Sequence, residues 1–411
     1  MRPILFFGGR FSAKLYKIHR GQKDGIQRIQ SLNLHNPIWI HAASLGEYEM
    51  AIPLIEQLHL RNPEIPFLIS FFSPSGFENA KLPDYCCKIY LGIDTPKQAG
   101  KFIDALKPQK VIFVKYEIWL NHLKACHNRN IPVFYWNLIL RKDHFVFSRF
   151  GKPWLSVLQK CQTLFCQNSI TIQLLESRNF KNWLQTGDIR FNRANEIQNL
   201  ELPNTILDHS DGELLNWLLS GSILILGSSW PTEEIMLLEA LKSPDLLHKV
   251  HQQLKIIIVP HDISFNHIQT IQKQFSDFQT QLFSEPVKNE FQILIVDQIG
   301  ILSRLYRFAN IAFIGGGFSG QLHNIIEPAA AGCFTLYGPN AKKFPESELF
   351  EELNIGNKIN DSQELAQKIE LYFDADYSVN KDYIKHQVHL QMSNIQRCVD
   401  VILSSKDSIQ L

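Results

Sequence analysis

The chain has 411 residues, a formal net charge of +1 and a hydrophobic fraction of 45%. A chain of this length ordinarily divides into two domains, and its near-neutral charge argues against a nucleic-acid-binding protein, which would carry a clear basic excess. No apolar run approaches the ~18 residues needed to span a bilayer, and the short run after Pro3 lacks the length and cleavage site of a signal peptide. Seven cysteines without metal-ligand spacing favour a reducing compartment.

Residues 1–30 form a strongly basic segment. They contain seven Lys or Arg against one acid, Asp24, for a net charge of +6, and the cations alternate with Phe6, Phe11 and Tyr16. A basic segment with large apolar side chains can lie on an anionic membrane surface, where each cation contributes about 1 kcal/mol. A solvated N-terminal helix fits the same composition equally well.

Short apolar runs rich in β-branched and aromatic residues recur along the chain, with amphipathic stretches between them. This alternation predicts strands joined by crossover helices in parallel sheets. The first series of runs comprises residues 38–42, 67–72, 111–114, 133–136 and 164–166, and the second comprises residues 223–226, 256–259, 293–296, 311–314 and 334–337. We therefore predict an α/β protein with two αβα domains facing a cleft.

The boundary between the two series is polar. Residues 195–211 contain Pro203 and show no clean period, so we predict the linker there. The N-terminal domain is then expected at residues 31–194 and the C-terminal domain at residues 212–380. The remaining tail, residues 381–411, is predicted to form one long helix that packs back across the domains.

The loop after the first strand is the first candidate site, because ligands of open parallel sheets bind beyond the carboxyl ends of the strands. It carries Ser44, Gly46 and Glu47 and leads into a predicted helix. A carboxylate at that helix N-terminus can accept a proton from an attacking hydroxyl group. The plainer interpretation, which the residues alone favour, is that Glu47 only complements the helix dipole, for about 0.3–1 kcal/mol.

The loop after the third run of the first series places Lys115 and Glu117 at the end of a buried strand. Charged side chains are costly there unless they are paired or line a polar cleft. A functional Glu117 and a structural ion pair are equally compatible with this pattern.

Glycines dominate the loop after residues 311–314, where Gly315, Gly316 and Gly317 are followed by His323 and Glu327. Bare backbone amides and a following helix N-terminus suit a phosphate group. A carboxylate one turn into that helix can accept both ribose hydroxyls, as acidic residues do in other nucleotide-binding folds. The sequence therefore predicts a nucleotide site in the second domain.

Two kinds of site are not expected. The chain has no Gly-x-x-x-x-Gly-Lys-Ser/Thr loop, which disfavours phosphoryl transfer from a nucleoside triphosphate. The fifteen histidines are scattered, so no metal site is expected. His41, in the first predicted strand, is interpreted as a packed core histidine.

Taken in order along the chain, these motifs resemble the Kdo transferases, a family that moves 3-deoxy-manno-octulosonic acid (Kdo) from CMP-Kdo onto lipid A precursors. The resemblance runs through most of the chain, and the order of the motifs is more specific than any one of them. It is carried by residues 41–47 (HAASLGE), 73–76 (SPSG), 94–96 (DTP), 117–119 (EIW), 187–191 (GDIRF), 227–230 (GSSW), 233–234 (EE), 260–261 (PH), 315–317 (GGG), 323–328 (HNIIEP) and 338–339 (GP).

The resemblance implies a GT-B type fold of two Rossmann-like domains, with no cofactor and no metal requirement. The catalytic base of the family matches Glu47, and its transition-state stabilisers match Glu117 and Arg190. The residues that match its donor-nucleotide contacts are Pro260, His261, Ile299, Gly300, Ile301, Gly316, Gly317, Asn324, Ile325, Ile326 and Glu327.

Several positions depart from the family pattern, among them Lys115, Tyr116 and Leu120. Arg190 stands where many members carry Lys, so a planar fork replaces a point charge. His261 stands where Arg is common, and Ile301 stands where Glu is common. These departures affect the details of substrate recognition and leave the reaction class unchanged.

The activity implied by the resemblance is inverting transfer of Kdo from CMP-Kdo to the lipid A precursor lipid IVA in lipopolysaccharide core biosynthesis. The expected partners are CMP-Kdo, the lipid acceptor and a membrane surface, with peripheral attachment at the cytoplasmic face of the inner membrane and no nucleic acid. Two alternatives remain: another GT-B enzyme that uses a UDP-sugar donor, and a non-catalytic nucleotide-binding membrane protein.

Overall fold

The computed structural model describes residues 28–207, 209–287, 290–341, 343–373 and 380–405. These residues form two compact units. Unit 1 takes in the described residues up to Ile189 and again from Ser393, and unit 2 runs from Arg190 to Met392. Residues 1–27 of the predicted membrane-docking segment 1–30 lie outside the described residues.

Unit 1 is built on a parallel sheet of seven strands in the order β3-β2-β1-β4-β5-β6-β7. The strands are β1 Ile38–His41, β2 Phe67–Phe71, β3 Cys86–Tyr90, β4 Lys110–Val114, β5 Val133–Leu138, β6 Thr163–Cys166 and β7 Trp183–Gln185. The helices between them are α1 Leu45–Arg61, α2 Pro74–Asn79, α3 Pro96–Leu106, α4 Leu120–His127, α5 Lys152–Leu158 and α6 Ser169–Glu176, with a 3₁₀ turn at Phe145–Phe147. Alternate residues of the inner strands enter two separate cores, one on each face of the sheet, as the twofold period of a strand requires.

Helix α7, Ile189–Asn199, leads into unit 2, whose seven parallel strands follow the order β10-β11-β9-β8-β12-β13-β14. The strands are β8 Ser222–Ser229, β9 Leu254–Pro260, β10 Thr280–Leu282, β11 Ile293–Ile295, β12 Ile311–Ile314, β13 Phe334–Tyr337 and β14 Gly356–Lys358. The helices are α8 Asn204–Leu207, α9 Glu213–Leu219, α10 Pro231–Ala240, α11 Pro244–Gln252, α12 Phe265–Gln274, α13 Leu302–Leu305, α14 Ile326–Ala330, α15 Pro345–Glu352, α16 Ser362–Tyr372 and α17 Lys381–Gln391, with 3₁₀ turns at His209–Gly212 and Tyr306–Phe308. The predicted α/β class with two αβα domains is confirmed.

The predicted linker, residues 195–211, differs from what the structure contains. Its first residues continue α7, and α8 and a 3₁₀ turn follow. Ile206 is buried in the core of unit 2 and Leu202 packs against that core, so this stretch belongs to unit 2 in spite of its polar composition. The division between the units falls between Ile189 and Arg190, ahead of the predicted boundary at residue 194.

The tail forms two helices where one was predicted. Helix α17 ends at Gln391, and α18, Ile395–Ser404, begins after the cap residue Asn394. The Asn394 side chain accepts a hydrogen bond from the Arg397 amide at 3.0 Å, and the Asn394 amide donates to the Thr186 carbonyl at 2.9 Å. As a result α17 belongs to unit 2, whereas α18 packs on α1 in unit 1.

Candidate active site

The loop after β1 holds Glu47 by a reciprocal pair of hydrogen bonds. The Ser44 side chain accepts from the Glu47 amide at 3.4 Å, and the Glu47 carboxylate accepts from the Ser44 amide at 3.2 Å. This capping box starts α1 and fixes the carboxylate at its first turn. Glu47 is only 7% exposed, and burial, followed by repulsion from Glu117, raises its pKa to about 7. A carboxyl group with this pKa can take up a proton near neutral pH, which is more than a dipole-compensating residue needs to do.

The Ser-Pro-Ser-Gly motif packs against this loop. The Ser73 amide donates to the Ala43 carbonyl at 2.8 Å, and the Ser73 side chain caps α2 by accepting from the Gly76 amide at 3.3 Å. A Cβ atom at Gly76 would collide with the Phe71 ring and lie 3.1 Å from the Ser44 carbonyl carbon. The motif therefore requires glycine at this position so that α2 can support the loop that carries Glu47.

Glu117 follows β4, the neighbour of β1, so the structure brings the two predicted carboxylates to adjacent strand ends. Trp119 Nε1 donates a hydrogen bond to Glu117 Oε2 at 3.1 Å, and His41 Nε2 lies 3.9 Å from the same oxygen. Burial by itself would raise the pKa of Glu117, but the neighbouring His41 and Trp119 outweigh it and hold the pKa below its ordinary value. Glu117 therefore stays ionised at a pH where Glu47 titrates, and such divergence separates the roles of paired carboxyl groups.

In unit 2, the three consecutive glycines are required by close packing. A Cβ atom at Gly315 would collide with the Ser228 carbonyl oxygen, and one at Gly317 would collide with the Gly338 amide. Gly316 has a left-handed backbone with φ of 83°, which favours glycine. The Gly316 amide is already occupied, because it donates to the buried Glu233 carboxylate at 2.9 Å. The Gly316 amide therefore has a partner within unit 2, and the phosphate site at this loop stays a prediction.

Three aromatic side chains meet at the ends of three adjacent strands in the same unit. Trp230 follows β8, His261 follows β9 and His323 follows β12. The Trp230 ring stacks on His261 with a centroid separation of 4.4 Å, and the His261 and His323 rings are 4.9 Å apart. Trp230 Nε1 donates to His323 Nε2 at 3.3 Å. The sequence analysis treated these residues as separate motifs, although each one lies in the loop that follows a predicted strand, a signal that could have grouped them.

Glu327 is oriented by its neighbour Asn324. The Asn324 amide nitrogen donates to Glu327 Oε1 at 2.9 Å, and its oxygen accepts from the Ile326 amide at 2.9 Å. Burial raises the pKa of Glu327, and the hydrogen bond from Asn324 partly opposes that shift. Ile325 and Ile326 lie in the hydrophobic core, so their side chains are not available to a ligand.

The remaining predicted donor contacts have different environments. Pro260 is the buried last residue of β9. In the loop after β11, Ile299 is 84% exposed, Gly300 has a φ of 93°, and Ile301 is buried in the core. The Ile301 side chain therefore packs inside unit 2.

Arg190 lies at the start of α7, in unit 2, whereas Glu47 and Glu117 lie in unit 1. Its guanidinium donates two hydrogen bonds to the buried Glu346 carboxylate, at 3.1 and 3.2 Å. This two-pronged geometry is specific to Arg and would be lost with a Lys at the same position.

The described residues contain neither a metal-binding cluster nor a membrane-spanning helix. Across the described ranges, no group of three or more His, Cys, Asp or Glu side chains is arranged to hold a metal ion. None of the helices that the structure describes is both long and apolar enough to cross a bilayer.

Comparison with known proteins identifies relatives along most of the chain. Residues 10–193 match the family model for 3-deoxy-D-manno-octulosonic-acid (Kdo) transferase. Proteins named 3-deoxy-D-manno-octulosonic acid transferase are similar to it in Haemophilus influenzae (28% identity, covering 84% of this chain and 80% of the relative) and in Aquifex aeolicus (25% identity, covering 82% and 86%). Over most of its length the chain is thus similar to Kdo transferases, as its motifs predicted.

Solved structures support the fold assignment. UDP-GlcNAc 2-epimerase from Neisseria meningitidis superposes with a TM-score of 0.60, covering 90% of this chain and all of that one, at 13% identity. A glycosyltransferase from Rickettsia africae superposes with a TM-score of 0.52 at 16% identity, with the same coverage. At these identities the likeness concerns the fold alone, and the predicted GT-B type fold of two Rossmann-like domains is confirmed.

Proposed function

We propose that this protein is a Kdo transferase, an inverting glycosyltransferase that moves Kdo from CMP-Kdo to the lipid A precursor lipid IVA in lipopolysaccharide biosynthesis. The observation that carries the proposal is the pair of carboxyl groups at the ends of β1 and β4. Burial raises the pKa of Glu47 to about 7, while the pKa of Glu117 is held low. One group can thus exchange a proton near neutral pH beside another that stays charged.

The proposed reaction is a single displacement. Glu47 takes the proton from an acceptor sugar hydroxyl as its oxygen forms a bond to the anomeric carbon of Kdo. The bond from that carbon to the CMP phosphate breaks, and the electron pair leaves with CMP from the opposite face, so the configuration inverts. Positive charge develops at the anomeric carbon in such a transition state, and an ionised Glu117 nearby would stabilise it.

The donor nucleotide is proposed to bind unit 2, without a cofactor or a metal ion. Glu327, oriented by Asn324, is suited to accept hydrogen bonds from the ribose hydroxyls. The rings of Trp230, His261 and His323 offer a face on which a pyrimidine base could stack. Arg190 remains a predicted transition-state stabiliser, a role in which it would share its charge between the substrate and Glu346.

A lipid acceptor requires contact with a bilayer, and we propose peripheral attachment at the cytoplasmic face of the inner membrane through residues 1–30. Their net charge of +6 supports this assignment. Deletion of residues 1–23 should reduce co-sedimentation with vesicles that contain anionic lipid and leave the melting temperature unchanged. Unchanged sedimentation would refute docking by this segment.

The direct test is incubation of the purified protein with a CMP-Kdo generating system and lipid IVA, followed by mass spectrometry of the lipid. We expect a lipid heavier by one or more Kdo units. CMP should also raise the melting temperature more than UDP, because a ligand present at 100 times its dissociation constant stabilises the folded state by about 2.7 kcal/mol. Stronger stabilisation by UDP, with no heavier lipid, would instead favour the alternative of a UDP-sugar enzyme.

A further inference from the structure

His41 occupies a central position in the sheet of unit 1. It is the last residue of β1, is 2% exposed, and pairs in register with Ser70 on β2 and with Phe113 on β4. Its Nδ1 atom lies 2.9 Å from Ser70 Oγ, and Trp39 Nε1 donates to the same Oγ at 2.8 Å. His41 is therefore part of a buried polar chain, which a simple core histidine would not need.

The chain of hydrogen bonds selects one tautomer of His41. An indole N–H can only donate, so Ser70 Oγ accepts from Trp39. In the described part of the chain, Ser70 Oγ makes hydrogen bonds only with Trp39 and His41. Its own buried proton is satisfied when it donates to His41 Nδ1, and this places the ring proton of His41 on Nε2. Burial also lowers the pKa of His41, which favours the neutral ring.

The Nε2 atom is left without a hydrogen-bond partner in the described structure, although it is fully buried. It lies 3.9 Å from Glu117 Oε2, which is too long for a hydrogen bond but needs a shift of only about 1 Å to become one. The Trp119 ring contacts the His41 ring at a centroid distance of 4.7 Å and donates to the same carboxylate oxygen. An unpaired buried N–H is costly, so the carboxylate gains by moving toward it.

We propose that His41 is a positioning residue for the transfer reaction: Ser70 holds it as the Nε2–H tautomer, and it donates that proton in a hydrogen bond to Glu117, which fixes the carboxylate when substrate is bound. The proposal rests on the proposed function, since it assigns His41 a role through Glu117. Trp119 and His41 would then hold Glu117 from two directions. This arrangement would keep Glu117 ionised and correctly oriented beside Glu47.

Nitrogen-15 NMR of the imidazole rings tests the hydrogen bond independently of activity. The His41 signals are assigned by their loss in His41→Gln, and spectra are recorded for the full-length protein alone and with CMP and lipid IVA. We expect a neutral ring protonated at Nε2, and a downfield shift of that proton when both ligands are present. A ring protonated at Nδ1, or an Nε2 proton that does not move on ligand addition, would overturn the proposal.

Kinetics of three substitutions test the consequence. Glutamine can place an amide N–H near the Nε2 position, whereas asparagine reaches only the Nδ1 position and phenylalanine fills the space with no donor. We expect His41→Asn and His41→Phe to lower kcat by about 10- to 100-fold with little change in KM, and His41→Gln to recover most of the loss. The exposed His35→Gln serves as the control and should match the wild type.

Melting temperatures of all four variants separate folding defects from positioning. Wild-type kcat in a well-folded His41→Phe would reduce His41 to a packing residue and overturn the proposal, as would equal losses in folded His41→Gln and His41→Phe. A wild-type protein that transfers no Kdo would instead refute the proposed function, and the NMR spectra would still decide whether His41 bonds to Glu117.

Discussion

The two units carry different chemical groups at the equivalent position of their parallel sheets. In each sheet the strand order reverses beside the first strand of the unit, between β1 and β4 in unit 1 and between β8 and β12 in unit 2. Ligands of open α/β sheets bind at such reversals. Unit 1 fills this position with the carboxylates Glu47 and Glu117, whereas unit 2 fills it with tightly packed glycines and the ring of Trp230.

The two units also differ in the environments of their buried acids. In unit 1, burial and neighbouring groups adjust the pKa values of two acids in opposite directions, so the site is suited to moving protons. In unit 2, the buried Glu233 and Glu234 are internal partners, holding the Gly316 amide and the Ser229 hydroxyl. The same residue type therefore acts as candidate reagent in one unit and as support in the other.

Removal of the Glu47 carboxylate should have the largest effect and would sharpen this contrast. Glu47→Gln keeps an oxygen that can accept from the Ser44 amide, so folding should persist, while the proton acceptor is lost. We expect transfer of Kdo, measured by mass spectrometry of the lipid, to fall by about 10²- to 10⁴-fold. The exposed Glu49→Gln on the same helix is the matched control. Activity within a few-fold of wild type in Glu47→Gln would remove Glu47 from the role of base.

The pH dependence of the same residue gives the next largest effect. Only ionised Glu47 can accept a proton, and its pKa is about 7, so kcat/KM should fall about tenfold per unit below that pH and level off above it.

Stability should change in the opposite direction. The pKa of Glu47 in the folded state lies above its ordinary value of 4.5, so protonation of this carboxyl group stabilises the folded protein. That stabilisation is lost as pH rises from 4.5 to about 7. Glu47→Gln should therefore melt at a higher temperature than the wild type, by a margin that grows between pH 5 and pH 8. A constant difference would mean that the pKa of Glu47 is not raised.

In unit 2 the corresponding substitution is Glu327→Gln. Loss of the charge should weaken the hydrogen bonds to ribose hydroxyls, and CMP affinity measured by calorimetry should fall by about 10- to 100-fold. Glu364→Gln, on the surface helix α16, should leave the affinity unchanged. Equal CMP affinity in Glu327→Gln and wild type would place the ribose elsewhere.

Substitution of Gly315 or Gly46 by alanine tests how tightly the loop after β12 and the loop after β1 are packed. A Cβ atom at Gly315 would collide with the Ser228 carbonyl, whereas one at Gly46 would meet nothing within 4 Å. Gly315→Ala should therefore lower the free energy of unfolding by about 1–3 kcal/mol, and Gly46→Ala should leave it unchanged or raise it slightly. Thermal denaturation followed by circular dichroism measures both. A stable Gly315→Ala would show that the loop can relax away from β8.

The smallest expected effect concerns Arg190. Arg190→Lys replaces a two-pronged pair with Glu346 by a single contact, and we expect a loss of about 0.5–1.5 kcal/mol in chemical denaturation. Arg193→Lys is the control, because its pair with Glu196 is exposed and such pairs contribute little. Equal losses in the two variants would mean that the fork geometry adds no stability.

The strands that sequence reasoning missed share one property. The ten predicted runs correspond to the five inner strands of each sheet, and the four missed strands, β3, β7, β10 and β14, are the four sheet edges. Inner strands of a parallel sheet are buried on both faces and read as continuous apolar runs. Edge strands are shorter or only partly buried, so their composition does not differ enough from that of loops.

The candidate site likewise combines features that the sequence predicts with features that it does not. The spacing of Ser44 and Glu47 is the signature of a capping box, and the positions of Glu117, Glu327 and the glycine run follow from their places after predicted strands. The sequence could not reveal that Glu233 occupies the Gly316 amide, since those residues are brought together only by strand pairing.

Local pattern therefore determined which segments form the inner strands, which loops follow them and which polar residues those loops carry, because hydrophobic periodicity and capping are properties of neighbours along the chain. Tertiary structure alone decided the edges of the sheets and the partners of His41, Glu233 and Arg190. These features depend on contacts between residues far apart in sequence. So do the burial that raises the pKa of Glu47 and the contact with His41 that helps to lower the pKa of Glu117.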